Sequence, residues 1–442
     1  MKRVLFIPVL ILLTAGCGGL EQKRFGRIQT DPVPGMPDGV ETAAVCRLAS
    51  GDWLMLAGVS DPASADGVLF VLKSEDEGRS WSGADTAAVL SRPVTNLHAS
   101  RLPDGGVIVL YSLLRSRRTG AAPQGCFLIR SYDHGRTFTT PQPVAAPGMD
   151  GLMPSGGICE GPAGEWIFPG SGRREGRVRP VLLLSDDLGN TWQVRTPDWP
   201  DSPSGEPPGH PAFAVQEEGG LICLFETGGS GYLHVTRTAD WGQNWTLPGE
   251  TPLYGIGPRL LSTRHGTLAV VYRDLSPEGL TLRLSYDLGR SWEPEMPVVQ
   301  IAPGGGADGL LALIETEDGV ALLWVRENRP KITRVRIGPP PIPKGVAASV
   351  KGNAVSIRWN AVDHAAFYLV CRDTTPDFSL RLPELPESNL IGMSVQNRFE
   401  DARIDSGLTV YYRVCGVRGS GPLIQNTGSI GELSDAVRVV IP

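Results

Sequence analysis

Short apolar runs broken by glycine-centred polar turns fill the chain from Ala43 to Ile337, and they come in pairs. Six times an apolar run, a turn containing Gly and a second apolar run follow one another: Ala43–Gly58, His98–Ser112, Ser155–Gly170, Pro211–Glu226, Pro258–Arg273 and Leu310–Val325. Runs of this length bounded by turn residues read as strands, and each pair reads as a hairpin. A third run, such as Leu69–Leu72, Val181–Leu184 or Leu280–Leu284, leads into an octamer that recurs five times. The copies are SEDEGRSW (from Ser74), SYDHGRTF (from Ser131), SDDLGNTW (from Ser185), TADWGQNW (from Thr238) and SYDLGRSW (from Ser285). Recurrence every 47 to 57 residues belongs to a repeat architecture and not to one folded unit.

The octamer is a tight turn. Its Asp can bond its own backbone two residues on, its Gly takes a positive φ freely, and its first Ser or Thr adds a hydroxyl acceptor. Trp81, Phe138, Trp192, Trp245 and Trp292 close the copies with large apolar surfaces suited to packing one sheet on the next. The pattern S-x-D-x-G-x-x-W at this spacing resembles the Asp-box (BNR) repeat of the sialidase superfamily. That resemblance implies an all-β chain beginning with a six-bladed β-propeller over residues 38–338, with the boxes on its outer rim, between the third and fourth strands of a blade. Six hairpins against five boxes leave the last blade without a readable box. Its third strand is expected at Ile332–Ile337, with Phe25–Thr30 as the outer strand that closes the ring. Closure matters because an open ring would expose strand edges.

The prolines of 339–344 make a stiff linker. Beyond it, 345–442 carries alternating strands at Ala354–Asn360, Ala365–Asp373, Leu408–Val417 and Asp435–Ile441. The order Trp359, Tyr368 with Val370, Ile404, Gly407 and Tyr411–Val414 resembles a fibronectin type III domain, an immunoglobulin-like β-sandwich; Val410 stands where that family's corner tyrosine would fall. Under that resemblance the strands carrying Cys371 and Cys415 are antiparallel neighbours, both thiols face away from the core, and the pair is a candidate disulfide.

At the other end, Lys2 and Arg3 precede the apolar run Val4–Leu13 and the small residues Thr14, Ala15 and Gly16 before Cys17. The run is too short to span a bilayer and reads as a signal peptide. The segment 1–17 resembles a bacterial lipobox, with Thr14 where Leu is usual, which implies lipid on Cys17 and 18–37 as tether. Gly18 after the cysteine favours the outer membrane of a bacterial cell envelope, and the expected membrane contact is the lipid anchor alone. A net charge of −6 leaves no basic stripe for nucleic acid. Cys46, Cys126, Cys159 and Cys223 show no metal-ligand spacing and read as small buried core residues; no metal or other cofactor is expected.

In a propeller the pocket forms at one end of the axis, from the starts of the first strands and the loops leaving the second strands. Counted from the turn glycines, the starts offer Glu41, His98, Ser155, His210, Arg259 and Asp308. The second-strand exits offer Asp61, Asp66, Arg115, Arg173, Arg174, Glu226, Arg273 and Arg326. Carboxylates and arginines in such number suit a polar ligand such as a glycan or glycoconjugate. Set against the sialidase family, Asp66 falls where the acid/base would be, but Glu41, Glu226 and Pro277–Glu278 stand at the three positions of the arginine triad. The tyrosine segment reads Asp308–Leu313 and has no tyrosine. Glutamate cannot replace arginine in holding a carboxylate, so sialic acid is disfavoured. Two expectations remain open: an exported glycosidase-like enzyme with Asp66 as acid and Glu226 as base or nucleophile, or a non-catalytic surface glycan-binding or adhesion protein. In the first, Glu41, His98, Arg115, His210, Arg259, Arg273, Asp308 and Arg326 bind substrate, and His210 faces Glu226 across the ends of one hairpin.

Overall fold

A computed structural model describes residues 29–442 apart from 38, 61–65, 115–122, 162, 175–176, 198–208, 216–219, 228–229, 265, 276–277, 294–295, 301–308, 318, 327–328, 338, 353, 363–364, 383–387, 403 and 419–429. The described chain is all β. Residues 29–336 form six four-stranded antiparallel meanders. The first runs Val40–Arg47, Trp53–Ser60, Gly67–Ser74, Asp85–Leu90, and the second Val94–Arg101, Val107–Leu114, Pro123–Ser131, Gln142–Val144. The third is Asp150–Pro154, Trp166–Arg174, Arg177–Ser185, Gln193–Arg195, with the short strand Cys159–Glu160 also on Trp166–Arg174. Gly209–Val215, Leu221–Glu226 and Tyr232–Thr238 make the fourth with the first half of Gly249–Ser262. The second half of that strand opens the fifth meander, followed by Leu268–Leu275, Glu278–Ser285 and Met296–Gln300. Gly309–Glu315, Gly319–Arg326 and Arg329–Arg336 begin the sixth, and Gln29–Pro32, from the start of the described chain, completes it. The closing strand is thus the expected one, shifted toward Pro32; residues 25–28 lie outside the described set.

Why the strands read as unbroken apolar runs is visible in the packing. Leu54 and Leu56 point into a core shared with the second meander, while Trp53, Met55 and Ala57 of the same strand point into a core shared with the sixth. Each of the other neighbouring pairs shares a core in the same way. The sheets therefore stand as blades around a common axis, each buried on both faces. Box aromatics sit at five of these seams: Trp81, Phe138, Trp192, Trp245 and Trp292. At the seam between the fifth and sixth blades, where no box is readable, Trp324 and Tyr286 take up the space.

The boxes occupy the turns after the third strands, and their geometry corrects one expectation. The Asp carboxylate does not bond two residues on; it accepts the backbone N–H four residues on and the side chain of that same residue. In the first box Asp76 Oδ1 accepts from Ser80 N at 2.8 Å and Oδ2 from Ser80 Oγ at 2.6 Å, while Ser74 Oγ accepts from Gly78 N at 2.7 Å. The seventh octamer position therefore carries structure, and Thr137, Thr191, Asn244 and Ser291 repeat its role. Positive φ falls on the glycine and also on the residue before it, from Glu77 to Leu288. At Gly242 even a Cβ would meet Leu182 of the third blade at 2.6 Å, so the box docks closely on its neighbour. Arginines of the preceding blade reach the box carbonyls: Arg195 reaches Trp241 O at 2.6 Å, and Arg237 reaches Gly289 O at 2.6 Å.

Past the prolines, a three-stranded sheet (Ala347–Lys351, Ala354–Arg358, Arg398–Asp401) packs on a four-stranded one (Leu390–Ser394, Phe367–Asp373, Thr409–Val417, Val437–Val440). Trp359, Tyr368, Val370, Tyr412 and Val414 share the core between them. Arg418 of this sandwich donates to Arg336 O at 2.8 Å, tying it to the last blade. Cys371 and Cys415 are buried on the face opposite that core, but Cys371 pairs with Arg413 and Cys415 with Leu369. The two cysteines are diagonal neighbours, about 7–8 Å apart by strand geometry, and they are not bridged.

Three outcomes follow from these arrangements. Asp287→Asn in the most buried box removes charge-assisted bonds each worth about 1.5–3 kcal/mol and should lower Tm by several degrees in a thermal melt. Hydrogen bonds from Thr191 and Asn244 hold Asp187 and Asp240 at about 2. Depressed carboxylates stabilise the fold above their unfolded range, so the boxes should loosen as pH falls from about 4 to about 2. In denatured, non-reduced protein, Cys371→Ser should remove one titratable thiol; a newly exposed thiol would mean a bridge.

Candidate functional site

The inner strand of every blade contains one extra residue near its start. Pairing with the second strand slips between Val40 and Thr42, Thr95 and His98, Asp150 and Met153, Gly209 and Ala212, Ile256 and Arg259, and Leu310 and Ala312. These are β-bulges, and a bulge bends the strand and re-aims its side chains. In four blades the bulged residue takes a left-handed φ: Asn96 (49°), Gly151 (59°), His210 (38°) and Gly257 (61°). Asn, Gly and His are residue types that accept this conformation most readily.

Two bulges converge on one carboxylate. Glu226, last in the second strand of the fourth blade, accepts from Gly257 N at 2.6 Å through Oε1, and its Oε2 lies 3.2 Å from His210 Nδ1. His210 is the bulge of Glu226's own blade and Gly257 that of the next. Burial works against the charge on Glu226, but hydrogen bonds from His210 and Gly257 outweigh it and hold the carboxyl below its usual range. The hydrogen bond to Glu226 raises the pKa of His210, which is 74% exposed along its side chain. The arrangement is a hydrogen-bonded His–Glu pair at the mouth of the axis, with its carboxyl held toward the ionised form.

The first blade, three along from the fourth in either direction, repeats the motif with other chemistry. Its bulge residue Glu41 accepts a 2.6 Å bond from the strand-exit hydroxyl of Ser60. Asp66, half-buried, immediately precedes Gly67, the residue paired with Ser60. Asp66 and Glu41 thus belong to one end of one blade, and Glu226 with His210 to the same end of the blade opposite.

Other expected residues lie elsewhere. His98 and Arg259 are not strand starts: each follows its bulge and lines an axial cavity of about 300 Å³. Burial and the nearby Arg259 lower the His98 pKa to about 3, so its imidazole is neutral; its ring also bonds the Pro154 carbonyl. Ser155 is likewise in the cavity wall, because the third blade's inner strand begins at Asp150 and breaks after Pro154. Arg273 ends up half-buried, paired with Leu280. Arg326 lies over its own blade's Trp324, 5.2 Å from the ring centroid. Arg115, Asp308 and Cys17 lie outside the described residues, as does Asp61.

Sequence reasoning missed Ser60, Gly257, Tyr232 and Tyr254. The two tyrosines pair across strands beside the Glu226 end, ring centroids 5.1 Å apart and edge to face. A signal existed for Tyr232, which follows Glu226 by the length of one short turn. None existed for Gly257, whose contribution is a backbone N–H. Among the described residues no cluster of three or more His, Cys, Asp or Glu could hold a metal ion.

Residues 103–307 match a family model described as a BNR repeat-like domain. A sialidase of Paraclostridium sordellii is 24% identical over 171 residues, which cover 35% of this chain and 42% of that relative. The chain thus spans about two fifths of the length of the curated relative it matches. Among solved structures, a protein of unknown function from Dyadobacter fermentans superposes with a TM-score of 0.56 at 15% identity, covering 71% of this chain and 99% of that one. A Hadza microbial sialidase gives 0.55 at 17% identity over 67% and 65% of the two chains. An α-L-arabinofuranosidase mutant from Fusarium graminearum gives 0.54 at 17% identity over 71% and 98%.

The ion pair makes a measurable prediction. A raised His pKa stabilises below the unfolded value of about 6.5 and fades as pH rises through the folded one, while a depressed Glu stabilises above about 4.3. The pair should therefore support the fold most from about pH 4.5 to about pH 6.5. Histidine NMR titration should show His210 above the ordinary value in wild type and lowered in Glu226→Gln; an unchanged titration would deny the contact.

Proposed function

Starting from a β-propeller of the sialidase superfamily, we propose that this chain is an exported glycosidase-like enzyme that acts at the axial mouth with Glu226 as base or nucleophile and Asp66 as acid. The observation that carries the reading is the state of Glu226. A base or nucleophile must be ionised, and this carboxylate is held so by a histidine and a backbone N–H on separate strands. A carboxyl serving as acid belongs on the other side of the scissile bond, and Asp66 sits on the opposite blade. Tyr232 and Tyr254 give an apolar edge on which a sugar ring can pack. The relatives named above include a sialidase and an α-L-arabinofuranosidase, so the scaffold serves more than one glycosidic substrate.

Sialosides are not the proposed substrate. The positions that resemble the family's arginine triad carry Glu41, Glu226 and Pro277–Glu278, and carboxylates there repel a substrate carboxylate. The proposal includes export with lipid on Cys17, anchoring in a bacterial outer membrane, and a C-terminal fibronectin type III-like spacer over 345–442.

A second reading, a non-catalytic glycan-binding protein, is favoured by one observation: both Glu226 oxygens are already engaged. A screen of chromogenic glycosides separates the two. The enzyme reading expects turnover of a non-sialoside that falls at least a hundredfold in Glu226→Gln and in Asp66→Asn, consistent with the weight of acid–base groups. Glycan binding without turnover would leave the second reading, and cleavage of sialosides abolished by Asp66→Asn would overturn the substrate assignment.

A further inference from the structure

Below the mouth, the axial cavity of about 300 Å³ is lined by residues of all six blades, and no carboxylate is among the described residues that line it. Two arginines are. Arg47 is compensated: it lies 3.7 Å from Glu77 and donates to Gly51 O at 3.3 Å. Arg259 is not. No hydrogen bond or ion pair to it occurs among the described residues, and it is half-buried where it lines the cavity. His98, neutral and on the opposite blade, and His210 both feel its positive charge.

An arginine facing the cavity, with no carboxylate partner among the described residues, is an unbalanced charge. A half-buried cation facing a cavity without a counter-charge attracts an anion, and a guanidinium offers a fork of N–H donors matched to two oxygens of one anion. Ser100 and Ser155, on the second and third blades, add hydroxyl donors to the cavity lining. The backbones close tightly there, since a Cβ on Gly157 would meet Ser100 Oγ at 2.1 Å, so the wall is fixed and not a loose surface. We propose that this axial cavity is an oxyanion site in which Arg259 binds a carboxylate, phosphate or sulfate group, with the Ser155 and Ser100 hydroxyls as further donors. The site does not depend on the glycosidase reading. Its volume, at the lower end of small-molecule pockets, admits either a free inorganic anion or the acid group of one acidic sugar.

The test is calorimetric titration of the purified protein with inorganic phosphate, sulfate and glucuronate at constant ionic strength, backed by thermal melts in the same buffers. Wild type is expected to bind at least one of the three with one-site saturation and a Tm that rises and levels off. Arg259→Met should weaken that binding at least tenfold, while Arg47→Gln leaves it within about twofold. Should Arg259→Met fail to fold, Arg259→Lys keeps the charge without the fork and should bind several-fold more weakly than wild type. Phosphate or sulfate binding identifies a free anion, and glucuronate binding alone identifies a sugar acid. No saturable binding by wild type, binding retained in both Arg259 variants, or loss in Arg47→Gln alone would overturn the assignment.

Discussion

Everything at the axis depends on ring closure by the strand Gln29–Pro32. It pairs with Arg329–Arg336 from more than three hundred residues away, and the joint is fastened by Arg334 to Asp31 at 3.1 Å and Thr30 to Thr333 at 2.8 Å. Arg334 also donates to the Glu77 carbonyl in the first box at 3.0 Å, so one side chain links the closing strand, the last blade and the first. Without that joint the sixth blade would present an unpaired edge, and the first and fourth blades would have no reason to stay opposed. The loop-closure entropy of so long a connection is large, and the six inter-blade cores are what offset it.

Given the ring, the inner-strand bulges turn a scaffold into a site. A regular strand alternates its side chains between the two blade faces, both of which are buried here. One extra residue breaks the alternation at the same depth in all six blades, and in the fourth and fifth it aims His210 and the Gly257 N–H at Glu226. The first blade uses the same slip to bring Glu41 to Ser60. Position is supplied by the repeat and chemistry by whichever residue occupies the bulge.

The sequence makes the repeat easy to read and the bulges hard. Octamers such as Ser285–Trp292 and the paired apolar runs carry strong periodic signals, so the six meanders, the rim position of the boxes and the closing strand were all legible. The His210–Glu226 contact was legible too, because the two ends of one hairpin must meet. A bulge leaves no trace in an apolar pattern, and for that reason His98 and Arg259 were expected at the mouth when they lie below it. The Cys371–Cys415 pair turned on register in the same way: face was readable from alternation, but opposite and diagonal partners were not. Long-range backbone donors such as Gly257 have no sequence signature.

The central proposal is that Glu226, held ionised, and Asp66 act as a carboxyl pair across the axial mouth, on opposite blades. A crystal structure with a bound iminosugar tests it most directly, because a cationic sugar mimic seeks the ionised carboxylate. The account predicts the ring at the mouth, its nitrogen within hydrogen-bond distance of Glu226, with Asp66 on the far side at a carboxyl separation of about 5–9.5 Å. An iminosugar bound on the outer rim, or a separation far beyond that range with the mouth occupied, would contradict it.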